Sequence, residues 1–252
     1  MKLTRITDWL DRTLKVDAFD DVSNNGLQID RGEATGNVSR VAFAVDASER
    51  AVKAAAAAGA ELLVVHHGIS WGGGIRRIQG GVGAVVRAAI KSDLALYACH
   101  LPLDAHPVLG NNAQLADLFG LAGITPAFSY HGNVIGCVGH ASAARVARGL
   151  ERFRTPCGGF ALPAKCAARK RLTVGVCSGG AAEFAEDAKN LGCDLYLTGE
   201  ANWGEVVAAE NCGMPIVCLG HYATEVWGVR AVARSMKRAL RVETLDLTDA
   251  LA

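Results

Sequence analysis

Short apolar, β-branched runs alternate along this chain with alanine-rich segments whose apolar residues recur every three or four positions. In the first half the order is strand RVAFAVDA, helix SERAVKAAAAAGA, strand ELLVVHH, helix VGAVVRAAIKS, strand LALYACH and helix NNAQLADLFG. Such a βαβ rhythm predicts a largely parallel sheet covered by helices. Ser48 before Glu49 predicts an N-cap, and Gly59 predicts the stop of the same helix. A second series begins near residue 125: strand NVIGCVGH, helix ASAARVARGLERF, a stretch TPCGGFALPAK, strand RLTVGVCS, helix AAEFAEDAKNLG, strand DLYLTGE, helix WGEVVAAENCG and strand PIVCLG. Two successive α/β domains with mostly parallel or mixed sheets fit this better than one continuous sheet. The reading places them at 1–125 and 126–220, with the closing helix TEVWGVRAVARSMKRAL and strand VETLDL of 221–252 assigned to the first.

Composition narrows the picture. Half of the 252 residues are apolar, enough for a sizeable core. Twenty-six basic residues face 25 acidic ones, and a net charge of +1 provides no broad positive field for nonspecific nucleic-acid or membrane-surface binding. The segment MKLTRITDWLDRTL spaces Ile6, Trp9, Leu10 and Leu14 along one helix face and does not read as a signal peptide. No uninterrupted apolar stretch approaches the ~18 residues of a membrane span. The eight cysteines, Cys99, Cys137, Cys157, Cys166, Cys177, Cys193, Cys212 and Cys218, form no C-x-x-C pair, so buried thiols and a cytoplasmic location are expected.

Candidate chemistry gathers where strands end, because loops leaving the carboxyl edge of a parallel sheet converge there. His66 and His67 directly follow LLVV, and two adjacent imidazoles can diverge toward two ions. An isolated His-His pair serves equally well to cap a strand. His100 ends LALYACH and leads through LPLD to Asp104, a hard ligand beside imidazoles that suits Zn, Fe, Mn or Co; alone, it would be an ordinary turn residue. His106, before a proline, reads as a loop residue. His221 and Glu225 stand four apart after the strand PIVCLG, on one face if a helix begins there, although many such pairs merely decorate a helix surface. Three imidazoles and two carboxylates are too many for one catalytic zinc and suit two ions with a shared carboxylate. The assignment is His66 and Asp104 on one ion, His67 and His221 on the other, and Glu225 bridging.

The segment SNNGLQ from Ser23 to Gln28, the strand end VVHHG with its S-W and glycine-rich continuation, HLPLDAH, the following GNN, TGE near residue 200 and GHYATE together resemble the NGG-one-interacting-factor-three-like family. Its members are commonly called GTP cyclohydrolase I type 2 homologues. The resemblance spans essentially the whole chain. It implies two α/β domains, a dinuclear metal centre in the cleft between them, assembly into a hexameric ring, and ligands at His66, His67, Asp104, His221 and Glu225. The large insertion of longer relatives is missing, so activity tied to it does not transfer.

Weaker candidates complete the reading. His100 is a candidate general acid or base, or else an orienting or structural histidine. Asn24, Asn25 and Asn112 are candidates for substrate hydrogen bonds or for satisfying their own loops. Glu200 points to the cleft or caps a helix. Arg76 and Arg77 in WGGGIRRIQGG are candidate phosphate ligands without a P-loop pattern. The expectation is a metal-dependent hydrolase of a nucleotide or related small phosphorylated compound. The competing expectation is a non-enzymatic regulatory ring engaging a protein or DNA, with Arg169, Lys170 and Arg171 as its basic cluster or as a plain solvated run.

Overall fold

The structure, a computed structural model, describes residues 1–31, 37–155 and 158–251. Its strands in chain order are β1 (Gly26–Ile29), β2 (Arg40–Asp46), β3 (Leu62–His67), β4 (Ala95–Ala98), β5 (Ala122–Tyr130), β6 (Asn133–Ser142), β7 (Arg154–Thr155), β8 (Gly158–Gly159), β9 (Arg171–Cys177), β10 (Leu195–Thr198), β11 (Ile216–Cys218) and β12 (Glu243–Asp246). The chain divides into one unit of Met1–Leu103 with Gly228–Ala252 and another of Asp104–Trp227. The sequence reading draws its boundaries at 125 and 220. The first boundary falls earlier, after Leu103, because helix Asn111–Phe119 sends Leu115, Ala116 and Phe119 into the core built on β6, β9 and β10, and the second falls later, after Trp227.

In the first unit the sheet order is β1-β4-β3-β2-β12. β4, β3, β2 and β12 run parallel, and β1 adds an antiparallel edge against β4. Val41 to Val45 and Leu62 to Val65 are buried, which explains why β2 and β3 read as continuous apolar runs and not as alternating ones. Helix Leu3–Leu14 buries Leu3, Ile6, Leu10 and Leu14, one stripe at helical spacing. Helix Glu49–Ala57 starts where Ser48 accepts a hydrogen bond from the Ala51 N–H at 3.0 Å, a cap worth about 1 kcal/mol. Its chain reverses at Gly59, in the left-handed region at φ 73°.

In the second unit the order is β11-β10-β9-β6-β5. The sheet is mixed, as the reading of mostly parallel or mixed sheets allows: β11, β10 and β9 are parallel, whereas β6 is antiparallel to both β9 and β5. The β5–β6 pairing has a local cause. His131 and Gly132 both take positive φ, 48° and 77°, the primed-turn geometry that joins β5 to β6 as a tight hairpin. Helix Trp203–Cys212 carries a full capping box, in which Asn202 and Glu205 satisfy each other's backbone N–H groups.

Among the described residues, Cys99, Cys137, Cys166, Cys177 and Cys193 are buried free thiols, and Cys157 lies outside them. Burial pushes the Cys137 thiol up to about 12, so it packs as an apolar group. No described helix is long and apolar enough to cross a membrane.

Candidate metal centre

The parallel strands of the first unit deliver three imidazoles to one edge. β3 ends in His66, fully buried, and His67, half-buried, and β4 leads directly into His100. The ring centroids are 4.6 Å apart for His66 and His67, 5.1 Å for His66 and His100, and 5.6 Å for His67 and His100. One nitrogen from each ring lies within 4.8 Å of the others.

What holds these rings is as informative as where they sit. His66 Nδ1 is 2.9 Å from the Cys99 carbonyl oxygen. A carbonyl only accepts, so Nδ1 carries the hydrogen and the neutral ring has its lone pair on Nε2. His67 Nδ1 donates to Asp46 Oδ1 at 2.8 Å, across the β2–β3 register that aligns these two residues. His100 Nδ1 donates to Asp21 Oδ1, also at 2.8 Å. Nδ1 is thus engaged on all three rings, which gives each the orientation of a metal-ligating imidazole.

Asp21 is the hub behind His100. Its buried carboxylate also accepts from the Ser23 N–H, the Asn25 amide and the Leu101 N–H at 2.8 to 3.0 Å. Burial alone would raise its pKa, but the hydrogen bond and positive charge of His100, joined by those donors, bring it down to about 2. Asn25 Oδ1 in turn receives the His100 backbone N–H at 2.8 Å. Trp71 stands beside this group, its ring 5.2 Å from His100 and 6.0 Å from His67.

The second unit supplies carboxylates. Asp104 is buried, and its Oδ1 accepts from Asn111 Nδ2 at 2.9 Å and Ser178 Oγ at 3.0 Å. Asn112 braces the same corner by donating to the Ile135 carbonyl at 2.8 Å and accepting the Ser178 N–H at 2.7 Å. Helix His221–Leu240 begins at His221, so Glu225 stands one turn further along the same face, with His221 Nε2 3.1 Å from Glu225 Oε1. His221 Nδ1 lies 2.9 Å from Glu200 Oε1. The hydrogen bond to Glu225 chiefly, against burial and with help from Glu200, pushes the His221 pKa up to about 9.

Glycines make this corner possible. A Cβ on Gly179, at φ 70°, would stand 2.6 Å from Glu225 Oε1, and one on Gly199 would stand 2.5 Å from the Gly179 carbonyl oxygen. The Gly199 and Glu200 N–H groups both bond that carbonyl, at 2.9 and 3.0 Å, which fixes Glu200 facing His221.

The profile of the Duf34/NIF3 (NGG1p interacting factor 3) family matches residues 1–249. The chain belongs to this family. Proteins named GTP cyclohydrolase 1 type 2 homolog are similar to it. That of Deinococcus radiodurans is 38% identical over 226 residues, 89% of this chain and 84% of the relative. That of Pyrococcus horikoshii is 35% identical over 251 residues, 97% of each. Among solved structures, protein ybgI is 29% identical at TM-score 0.84, and TTHA1606 from Thermus thermophilus is 27% identical at 0.82, each covering 98% of both chains.

The family resemblance implies metal, and the chemistry of the donors fits a divalent first-row ion, since His66, His67 and His100 are side chains that could hold one and His221 with Glu225 offers the same donor types. Within the first unit the structure gathers His66, His67 and His100. Within the second it gathers His221 with Glu225 and Glu200, and it fixes Asp104 on Ser178.

The weaker candidates separate. Helix capping beyond Glu200 falls to Asn202, which leaves Glu200 to its pair with His221. Asn24 donates to Ser70 Oγ, Asn25 ties Asp21 to the His100 backbone, and Asn112 ties the Ile135 carbonyl to the Ser178 N–H. His106 Nδ1 accepts from the Val108 and Leu109 N–H groups, the role of a turn residue. Arg169 pairs with Asp194 at 2.6 Å, which takes one charge from the basic cluster. Asp21 and Asp46 escape the sequence reading. Asp21 lies in FDDVSNN, where no periodicity marks it, although its position a few residues before SNNGLQ was a usable signal.

Proposed function

We propose that this protein is a hydrolase dependent on two divalent metal ions, acting on a nucleotide or a related small phosphorylated compound. The observation that carries the reading is the anchoring of His66 and His67, each with Nδ1 on an oxygen acceptor and Nε2 assigned to the metal, beside His100, whose ring Asp21 holds in the same way for proton transfer. Metal-ligating histidines are held in this way because the anchor fixes the tautomer and raises basicity. In this reading His66 and Asp104 would hold one ion, His67 and His221 the other, and Glu225 would be shared. The ions would be Zn, Fe, Mn or Co. Bound there, they supply Lewis acidity and acidify water near neutral pH.

The chain's own part in catalysis is proton handling and orientation. His100 takes a proton from attacking water and returns it to the leaving group, and the Asp21 carboxylate holds the ring in position and stabilises its charged form. Asp46 and the Cys99 carbonyl keep His67 and His66 as ligands. The name carried by the relatives supports a nucleotide substrate, since opening a guanine ring is a hydrolysis. A cytoplasmic homohexamer belongs to the same reading.

Elemental analysis of protein purified without added metal or chelator tests it, beside an Asp104→Ala, Glu225→Ala variant of checked oligomeric mass. Close to two ions per chain, absent from the variant, together with nucleotide hydrolysis that His67→Ala abolishes, is the expected result. One ion or none after reconstitution overturns the dinuclear reading.

A further inference from the structure

We infer that Trp71 is a binding plate for a planar heterocycle beside the imidazole cluster, with Arg76 and Arg77 receiving the anionic group of the same molecule. This deepens the hydrolase reading and rests on it for where the chemistry occurs.

Trp71 retains 38% of its surface in solvent although it is the largest apolar side chain near the three histidines. Its ring meets His100 edge-on, with 5.2 Å between centroids and 74° between planes, and lies 6.0 Å from His67. The polar group of the indole is already used, since Nε1 donates to the Gly68 carbonyl at 3.0 Å. What the side chain offers to a ligand is therefore π surface and not a hydrogen bond.

The backbone that carries it is pinned on both sides. The Asn24 N–H bonds the Ser70 carbonyl at 3.0 Å, the Gly72 N–H bonds the Val22 carbonyl at 2.6 Å, and Trp71 itself bridges to Ser23. Gln28 ties in the preceding segment by accepting the Ile69 N–H at 2.7 Å. A plate fixed before the ligand arrives loses little conformational freedom on binding. Planar heterocycles stack on such a surface whatever their ring substituents, because each has a π face.

The residues after Trp71 suit the rest of a nucleotide. The Gly74 N–H closes a turn onto the Trp71 carbonyl at 3.0 Å, and a Cβ at Gly72, Gly73 or Gly74 would meet nothing within 4 Å, so this turn is open space. Arg76 and Arg77 follow, exposed and without an ion pair among the described residues. Guanidinium forks match phosphate oxygens two at a time. A nucleoside monophosphate thus has a place for each end, with the base against Trp71 next to His67 and His100.

Calorimetric titration of the metal-loaded protein with guanosine, ribose 5-phosphate and guanosine 5′-monophosphate separates the two ends. Trp71→Ala should weaken guanosine and the nucleotide about tenfold, the loss expected of one base stack, and leave ribose 5-phosphate unchanged. Trp71→Phe should restore binding to within about threefold, whereas Trp71→Leu, equally apolar without a π face, should not. Arg76→Ala with Arg77→Ala should weaken both phosphorylated probes and spare guanosine. Metal content is measured in every variant, so failure of the dinuclear reading shows itself separately from failure of the plate. Guanosine binding unchanged in Trp71→Ala, or no guanosine binding by the unsubstituted protein, overturns the inference.

Discussion

In the first unit three imidazoles lean on oxygen acceptors, whereas in the second two buried carboxylates lean on hydroxyl, amide and imidazole donors. The difference follows from charge. A neutral imidazole enters the interior at modest cost, and its anchor needs only to choose a tautomer. A carboxylate brings a charge whose burial costs several kcal/mol unless donors meet it. The first unit should therefore tolerate changes around its ligands as changes of orientation, and the second should answer them as losses of stability.

The sharpest way to break this contrast is Gly179→Ala. The new Cβ would meet Glu225 Oε1 at 2.6 Å, so this buried carboxylate would have to leave its 3.1 Å contact with His221 Nε2. The backbone there also sits at φ 70°, strained for any side chain. We expect a loss of about 2–4 kcal/mol in urea denaturation. A loss under about 0.5 kcal/mol would show that the carboxylate corner is not rigid, and the contrast would fail.

Asp21→Asn comes next and probes the first unit, at a point where it too buries a charge. The Asp21 pKa is lowered to about 2 from its ordinary value of 3.8. A lowered pKa contributes stability that is present above the unfolded value and is lost as pH falls from about 4 toward 2. The shift corresponds to about 2 kcal/mol at neutral pH for this buried group. The variant should be weaker by that amount at pH 7, and the gap should close near pH 2. A gap independent of pH would assign the loss to packing and not to the charge.

These two sites also mark the limits of what the sequence shows. His66, His67 and His221 stand out in the sequence because they end a strongly patterned strand or open the helix after one, whereas Asp104 closes the short helix Leu101–Asp104 and Glu225 stands one turn into helix His221–Leu240. The strands themselves are legible because burial on both faces makes them continuous apolar runs. β5 is not, since its residues Ala122 to Thr125 are exposed and its pairing depends on a hairpin at His131–Gly132, a dipeptide without the usual Asn-Gly signal. Asp21 and Asp46 stay hidden for another reason. Their roles come from chain partners 79 and 21 residues away, and no local pattern encodes a contact at that separation.

Ser178→Ala is a gentler test of the second unit. It removes the hydroxyl that donates to Asp104 Oδ1 but leaves Asn111 in place, so the carboxylate keeps one side-chain donor. We expect about 1–2 kcal/mol in denaturant and a weaker hold on metal. No change in either measurement would mean that Asn111 alone suffices.

The smallest effect sets the two units at opposite ends of the pH scale. The His221 pKa, raised from 6.5 to about 9 by its bond to Glu225 and then by Glu200, contributes stability that is full below about 6.5 and is lost as pH rises through 9. The His221 side chain is 37% exposed and Glu200 is 61% exposed, so solvent screens this pair and the contribution stays under about 1 kcal/mol. Metal-stripped protein should therefore be slightly less stable at pH 9.5 than at pH 6, and Glu200→Gln should narrow that difference. Loading metal should abolish it, because an ion on His221 and Glu225 takes over the place of the shared proton. If the alkaline loss persists unchanged with metal bound, His221 is a structural link between Glu200 and Glu225, and the second unit offers its carboxylates alone.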